Sequence, residues 1–525
     1  MKNLAVYIDK IFFFILIGGS IFFTSDKLVD PQLMPKWLWT GLVSGIIGIF
    51  ISVKLLIKSN YVRWNYGFLF GTIAFFCICQ TFYGLLEYFK IIPSFYYNQF
   101  LTGSFENTAG FASCLCFGFP FVLYYLKCKE QKIKILCMSL CLIVLFTLLL
   151  SLSRCGILCV LVSAFVYIFN KKKRCLWIGI TVLAIIITTF FCFKKDSVSG
   201  RLLIWKCSID MIADSPLKGQ GIGAFAAHYM DYQADYFQTH PNSKYQMLAD
   251  NVQHPFNEYI YLMIQYGVIA FIIILILMFF LLYCYWKCPL NETFICLLSL
   301  SNIALFSCFS YPFRYPFTWI ILCVCIGSLI KSVYGIMFTS ACINRLFGII
   351  VLGCSILLII SCSRSTKSEL QWKMADSPCL DVKEKMRDYY LLFPKLKHNP
   401  FYLYNYAATL YKSGEDKKAL LVADYCRTYF LADYDLELLR GDLYKSCHDY
   451  QNAIDCLKQA AFMCPSRFIP LYKLYTIYRE TGDSIRGDSI AEIISNKRIK
   501  IDSPIIRKIK EKIKLDRYDF NVLCE

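Results

Sequence analysis

Charge is scarce in this sequence. Only 18% of its 525 residues are Asp, Glu, Lys or Arg, while 57% are hydrophobic and 17% aromatic. A soluble chain of this length has no use for so much apolar surface, and runs of about 18 or more apolar residues are read as membrane spans. Metal-type cysteine spacing is also missing. None of the 27 cysteines falls in a CxxC…CxxC arrangement, and most lie in apolar runs (Cys77, Cys79, Cys114, Cys116, Cys323, Cys325), where a thiol acts as a small hydrophobe. No cleavable leader is expected, because the first apolar run, 11–24, leads into Ser25-Asp26-Lys27 rather than a small-residue cleavage site. No nucleic-acid motif accompanies the net charge of +18, and clusters such as Lys127-Cys128-Lys129 and Lys171-Lys172-Lys173-Arg174 flank apolar runs as membrane anchors do. Gly219-Gln220-Gly221-Ile222-Gly223 follows no strand and precedes no Lys-Ser/Thr, which argues against a nucleotide loop and for a tight turn.

What is present is a series of about eleven apolar segments: 11–24, 37–57, 66–88, 108–126, 135–152, 155–170, 175–193, 257–286, 293–311, 316–332 and 346–362. With residue 1 cytoplasmic, alternate loops carry Lys2/Lys10, Lys58/Arg63, Lys127 to Lys134, the 171–174 cluster, Lys287 and Lys331/Arg345. That asymmetry puts a polar stretch, 196–256, outside the cytoplasm together with everything after about residue 363. The expected layout is a membrane domain over 1–362, a linker over 363–398, a helical repeat region over 399–500 and a basic tail over 501–525. The repeat shows in its spacing. Ala419, Ala453 and Gly487 lie 34 residues apart, as do Gly414, His448 and Gly482, and the unit with Leu439, Gly441, Tyr444, Ala453, Leu457, Ala460 and Pro465 fits the tetratricopeptide pattern. The predicted fold class is therefore all-α, a polytopic helical membrane protein with a C-terminal helical-repeat domain that offers a binding surface.

Candidate chemistry gathers at one end of the spans. Arg154, in Ser153-Arg154-Cys155-Gly156, sits between two apolar runs with almost no loop. A cation there is a functional candidate, or it snorkels to the interface. Arg201 opens an expected interfacial helix on which Leu202, Trp205, Ile209 and Ile212 recur near helical spacing. A guanidinium grips phosphate oxygens bidentately, although Arg201 alone reads equally as a surface arginine. His254, where the polar stretch returns to an apolar run, is the acid/base candidate, with a hydrogen-bonded structural histidine as the alternative. Asn257 and Glu258 open the following helix, where a carboxylate is electrostatically favoured. Arg314, in a two-proline turn, is either a second phosphate contact or a stacked structural arginine. Asn107, ending Gly103-Ser104-Phe105-Glu106-Asn107, is a support residue or a helix cap.

With these residues the chain resembles the O-antigen ligase/polymerase superfamily of bacterial envelopes. The resemblance rests on Gly103 to Asn107, Ser153 to Gly156, Arg201-Leu202-Leu203-Ile204-Trp205 with Pro216 and Gly219 to Gly221, and His254 to Gly267. It covers about 100–320, and the tail resembles family versions carrying tetratricopeptide repeats. The resemblance implies a GT-C-like glycosyltransferase in the inner membrane, its large loop and C-terminal domain periplasmic. It implies transfer of a glycan from a polyprenyl-diphosphate carrier to a lipid, polysaccharide or protein hydroxyl, with no metal and no cofactor. Residues matching Arg154 and Arg201 would hold the diphosphate, as fixed guanidiniums aimed at developing charge lower such barriers. The histidine would activate the acceptor. The family often has histidine just before the asparagine, and here that position is Phe256 with His254 two residues earlier, a rotation of about 200° on a helix. Glu258 is the substitute base. Two other readings stay open: a lipid-linked glycan flippase, which predicts symmetry between halves and midplane charges, and a non-catalytic scaffold recruiting a protein partner through the repeats.

Overall fold

In the computed structural model, residues 2–57, 65–94, 101–169, 195–335 and 341–524 are described, and they form twenty α-helices. Ten of the eleven expected apolar segments fall on helices. The eleventh, 175–193, lies outside the described residues, as do Lys58, Arg63 and the 171–174 cluster. Seven described helices are long and apolar enough to cross a membrane, and two more, Arg154–Phe169 and Asn291–Ser307, are apolar but shorter. The chain is thus an all-helical, multi-pass membrane protein. It divides into two compact units, and each is described by itself.

The first unit takes in 1–193, 256–259 and 272–374. Its described helices are α1 (Lys2–Phe22), α2 (Leu33–Leu56), α3 (Tyr66–Tyr88), α4 (Thr108–Tyr124), α5 (Gln131–Leu150), α6 (Arg154–Phe169), most of α9 (Glu258–Lys287), α10 (Asn291–Ser307), α11 (Pro316–Tyr334) and α12 (Ala341–Ala375). Helix α4 is the axis: every residue from Gly110 to Leu123 is buried, with α3, α5, α6, α10 and α11 around it. Small residues set the helix spacing, as expected where lipid supplies no hydrophobic drive between helices. Gly41, Gly45 and Gly48 of α2 face Cys362, Ile359 and Ser355 of α12, and Gly118 lies on Cys77. Several buried polar groups are paired across helices. Asn302 donates to the Cys116 carbonyl at 2.7 Å, Ser163 donates to Asn302 Oδ1 at 2.7 Å, and Ser299 donates to the Phe117 carbonyl at 3.0 Å.

The second unit joins the polar stretch to the C-terminal helices: 194–255, 260–271 and 375–525. Helices α7 (Lys195–Asp214) and α8 (Ala224–Thr239) pack together. Beyond them α13 (Val382–Leu396) leads into three helix pairs, α14 (Pro400–Lys412) with α15 (Asp416–Tyr429), α16 (Tyr434–Ser446) with α17 (Tyr450–Met463), and α18 (Ile469–Glu480) with α19 (Ser484–Asn496). Helix α20 (Pro504–Cys524) follows. The stretch expected as linker, 363–398, carries the end of α12 and all of α13. Each pair reverses at a left-handed residue, Gly414 (φ 79°), His448 (φ 63°) and Gly482 (φ 78°), and Gly441 lets Leu457 pack closely across the second pair.

The polar stretch and the C-terminal helices interlock. Helix α8 packs on α15 and α17, and the Ala432 amide donates to the Ala226 carbonyl at 2.9 Å. Gln233 donates to the carbonyls of Asp250 (3.0 Å) and Met463 (2.7 Å), and Asn251 donates to Asp433 at 2.7 Å. Arg427 bridges Asp231 and Glu437, while Arg440 holds Glu437 and Asp424 at 2.7 Å each. Such contacts make 224–255 and the C-terminal helices one packed body.

Candidate functional site

In the first unit the polar residues converge on the turn Tyr311–Tyr315, whose centre is a single 3₁₀ turn, Pro312–Arg314. Side chains fix its backbone from three directions. Trp37 donates to the Arg314 carbonyl at 2.9 Å, Trp319 to Phe313 at 2.8 Å and Thr318 to Pro312 at 2.8 Å. Glu258 accepts the Phe313 amide at 3.2 Å, and the Phe256 ring lies 5.5 Å from that of Tyr311. Arg314 is engaged by Glu106 through two nitrogens, Nε to Oε1 at 3.2 Å and Nη2 to Oε2 at 3.3 Å, and its guanidinium sits 5.9 Å from the Tyr311 ring centre. Asn107 caps α4 by accepting the Gly110 amide at 2.9 Å, donates to Tyr311 Oη at 3.2 Å and accepts from Tyr315 at 3.2 Å. Asn107, Arg314 and Glu258 are thereby brought to one turn.

The facing turn, 101–107, is equally built. Glu87 accepts the amides of Thr102 (2.9 Å) and Gly103 (2.7 Å), and Lys36 donates to the Ser104 carbonyl at 2.7 Å. Gly103 has φ 55°, which suits a residue without Cβ. Burial pushes the Glu106 carboxyl up, with the Arg314 guanidinium opposing that rise. Sequence reasoning missed Glu106, Lys36 and Glu87 as parts of the site. The signal available was the rarity of ionisable residues at apolar span ends, which marks each for inspection.

Arg154 starts α6 immediately after a strained step. Leu152 holds φ 53°, a left-handed value uncommon for a side chain of its size. Nη1 of Arg154 is buried and has no hydrogen-bond partner among the described residues. A buried cationic donor left unmatched is costly in a folded protein.

In the second unit Arg201 and Trp205 lie four residues apart and share a face of α7. Trp205 donates to the Pro255 carbonyl at 2.9 Å, so that face is turned to the His254-Pro255 segment. The His254 ring stands edge-on to Tyr261 at 6.1 Å. Residues 251–257 are irregular, and helix begins only at Glu258, so the 200° helical rotation between His254 and the position of Phe256 does not apply. Phe256 itself holds φ 54°, a second strained non-glycine residue beside a candidate. Trp205 itself is half-buried.

The glycine turn is spliced into α9. That helix breaks at Gly267 (φ 74°, ψ −178°), which frees backbone groups on either side. Gln220 and Gly221 donate to the carbonyls of Ile264 (2.7 Å) and Gln265 (3.1 Å), and Val268 donates to Pro216 at 2.8 Å. A Cβ on Gly219 would meet the Gln265 backbone, and one on Gly267 would meet that of Leu217.

These features define the class first: a multi-pass helical membrane protein with an ordered polar unit built from one loop and its C-terminal helices. The comparison with protein families then adds that residues 139–275 match the model described as O-antigen ligase. The matched segment contains Arg154, Arg201, Trp205, His254, Asn257 and Glu258, and leaves Asn107 and Arg314 outside it. In general terms it supports an O-antigen ligase-like, glycan-transferring role with lipid-linked glycan and glycan acceptor as membrane partners. The comparison with curated proteins finds no match.

Proposed function

We propose that the protein transfers a glycan from a polyprenyl-diphosphate carrier to an acceptor hydroxyl at the outer face of the inner membrane. The observation that carries this reading is the O-antigen ligase match over 139–275, which holds both arginines and the histidine. The acceptor oxygen attacks the anomeric carbon, the bond from that carbon to the diphosphate oxygen breaks, and the electron pair leaves with the carrier diphosphate. Arg154 and Arg201 are assigned to that leaving diphosphate, and the unmatched buried Nη1 of Arg154 supports its assignment. The acceptor proton passes to His254 or, failing that, to Glu258. Arg314, already paired with Glu106, is assigned to holding the 311–315 turn. Guanidiniums supply the charge, so the step as drawn uses no metal.

The C-terminal helix pairs are read as tetratricopeptide-like repeats, supported by the recurrent left-handed turns at Gly414, His448 and Gly482. Their contacts with α8 favour a role in fixing the polar stretch, and the surface they offer suits a protein or polymer acceptor. Complementation of a deletion strain tests the assignments. Arg154→Ala and Arg201→Ala are each expected to lower surface glycan or glycoprotein formation by about 100-fold or more, the cost of removing a preorganised donor. Full rescue by both variants at normal expression overturns the diphosphate assignment. Rescue by His254→Ala alone moves the base to Glu258.

A further inference from the structure

The turn between α7 and α8 exposes apolar side chains that nothing in the second unit covers. Ile222 is 84% exposed and Leu217 65%, with Lys218 exposed beside them. Isolated exposed hydrophobics need no explanation. These two, however, sit on a turn whose backbone is hydrogen-bonded to residues 264–268, the point at which α9 becomes an uninterrupted apolar helix.

The level of that point relative to a bilayer follows from α9 itself. At its far end Tyr283 and Trp286 are exposed, and the Lys287 ammonium lies 5.6 and 5.4 Å from their ring centres, an aromatic and basic belt of the kind found at headgroup level. From Trp286 back to Val268, the first residue past the break at Gly267, lie eighteen residues of rise. At about 1.5 Å each they span ~27 Å, close to the thickness of a hydrocarbon core. The break at Gly267, with the exposed Tyr266 beside it, therefore marks the second headgroup boundary, and the turn bonded to Ile264, Gln265 and Val268 lies at that same boundary. Ile269, Ile272 and Ile273, just past the break, are exposed as lipid-facing residues are.

We propose that the Pro216–Gly223 turn is a membrane-surface wedge, with Leu217 and Ile222 inserted among the outermost acyl carbons of a phospholipid bilayer and Lys218 at the lipid phosphates. The break at Gly267 and the missing Cβ atoms of Gly219 and Gly267 let the turn approach the helix at this depth. The wedge stands independently of the transfer reaction, and its consequence is that the polar unit is held against the membrane surface.

The test uses the full chain in nanodiscs of phosphatidylcholine and phosphatidylglycerol. Ile222→Trp adds an emission component that is read as the difference from the parent protein, and the high exposure of Ile222 keeps the change from disturbing packing. When the discs contain phosphatidylcholine brominated near the top of its acyl chains, the added emission is expected to fall by more than half, with aqueous iodide leaving it largely unquenched. Leu217→Trp is expected to behave likewise. Emission from both variants that ignores the brominated lipid and is quenched by iodide overturns the proposal. Because no activity is measured, this outcome is separable from any failure of the transferase reading.

Discussion

At the scale of the residue, the central contrast is between Arg314 and Arg154. Arg314 has its carboxylate, whereas Arg154 keeps a buried nitrogen without a partner among the described residues. Motif and context single out Arg154, Arg201 and His254 as candidates in the sequence, because each is a polar residue at the edge of an apolar run. The Glu106–Arg314 pair was not legible, since its members are 208 residues apart and only the packing of α4 and α11 joins them. Their pairing has a pH consequence. Burial raises the Glu106 carboxyl above its usual 4.5, so the folded protein takes up this proton at a higher pH than the unfolded chain does. Folding stability attributable to Glu106 therefore rises as pH falls through that window, while the ion pair with Arg314 is lost. If the pair orders the 311–315 turn for transfer, the acid limb of the pH–activity profile lies above the ordinary carboxylate range. Glu106→Gln is expected to lower activity and remove that limb, and an unchanged limb in the variant would assign it to another group.

At the scale of the element, glycines decide where backbone can approach backbone. The 34-residue spacing of Gly414, His448 and Gly482 could be read from the sequence because it repeats, and the turns do fall there. The splice between the 216–221 turn and α9 could not be read. Gly267 enters the sequence reading as the end of the His254 to Gly267 motif, and only the structure brings the Leu217 backbone against it. Its φ and ψ lie in a region that only glycine occupies at low cost, so Gly267→Ala combines backbone strain of about 1–3 kcal/mol with a steric collision. Thermal unfolding in detergent, followed by intrinsic fluorescence, is expected to show a lower midpoint for Gly267→Ala. Gly353→Ala, where a Cβ meets nothing, should leave the midpoint unchanged. Equal midpoints for both variants would contradict the splice.

At the scale of the whole molecule, the apolar segments were legible because hydropathy and length define them, and the all-helical class followed. The union of the 194–255 stretch with the C-terminal helices was not, because hydrogen bonds such as Gln233 to Met463 carry no periodic trace in the sequence. Arg427 is the test of that union. Its guanidinium joins Asp231 to a Glu437 side chain only 1% exposed, and removing one member of a buried ion network costs about 3 kcal/mol or more. Arg427→Ala is expected to open both the α8 region and the α15–α17 region to hydrogen exchange together. Loosening of α15–α17 alone would mean that the two parts are stable independently. The central claim, transfer from a lipid carrier, is tested most directly by following that carrier in a deletion strain. Polyprenyl-diphosphate-linked glycan, quantified by mass spectrometry and probed with a glycosidase confined to the periplasm, should accumulate in glycosidase-accessible form while transferred product disappears. Accumulation only in inaccessible form, or no accumulation with product intact, would contradict the account.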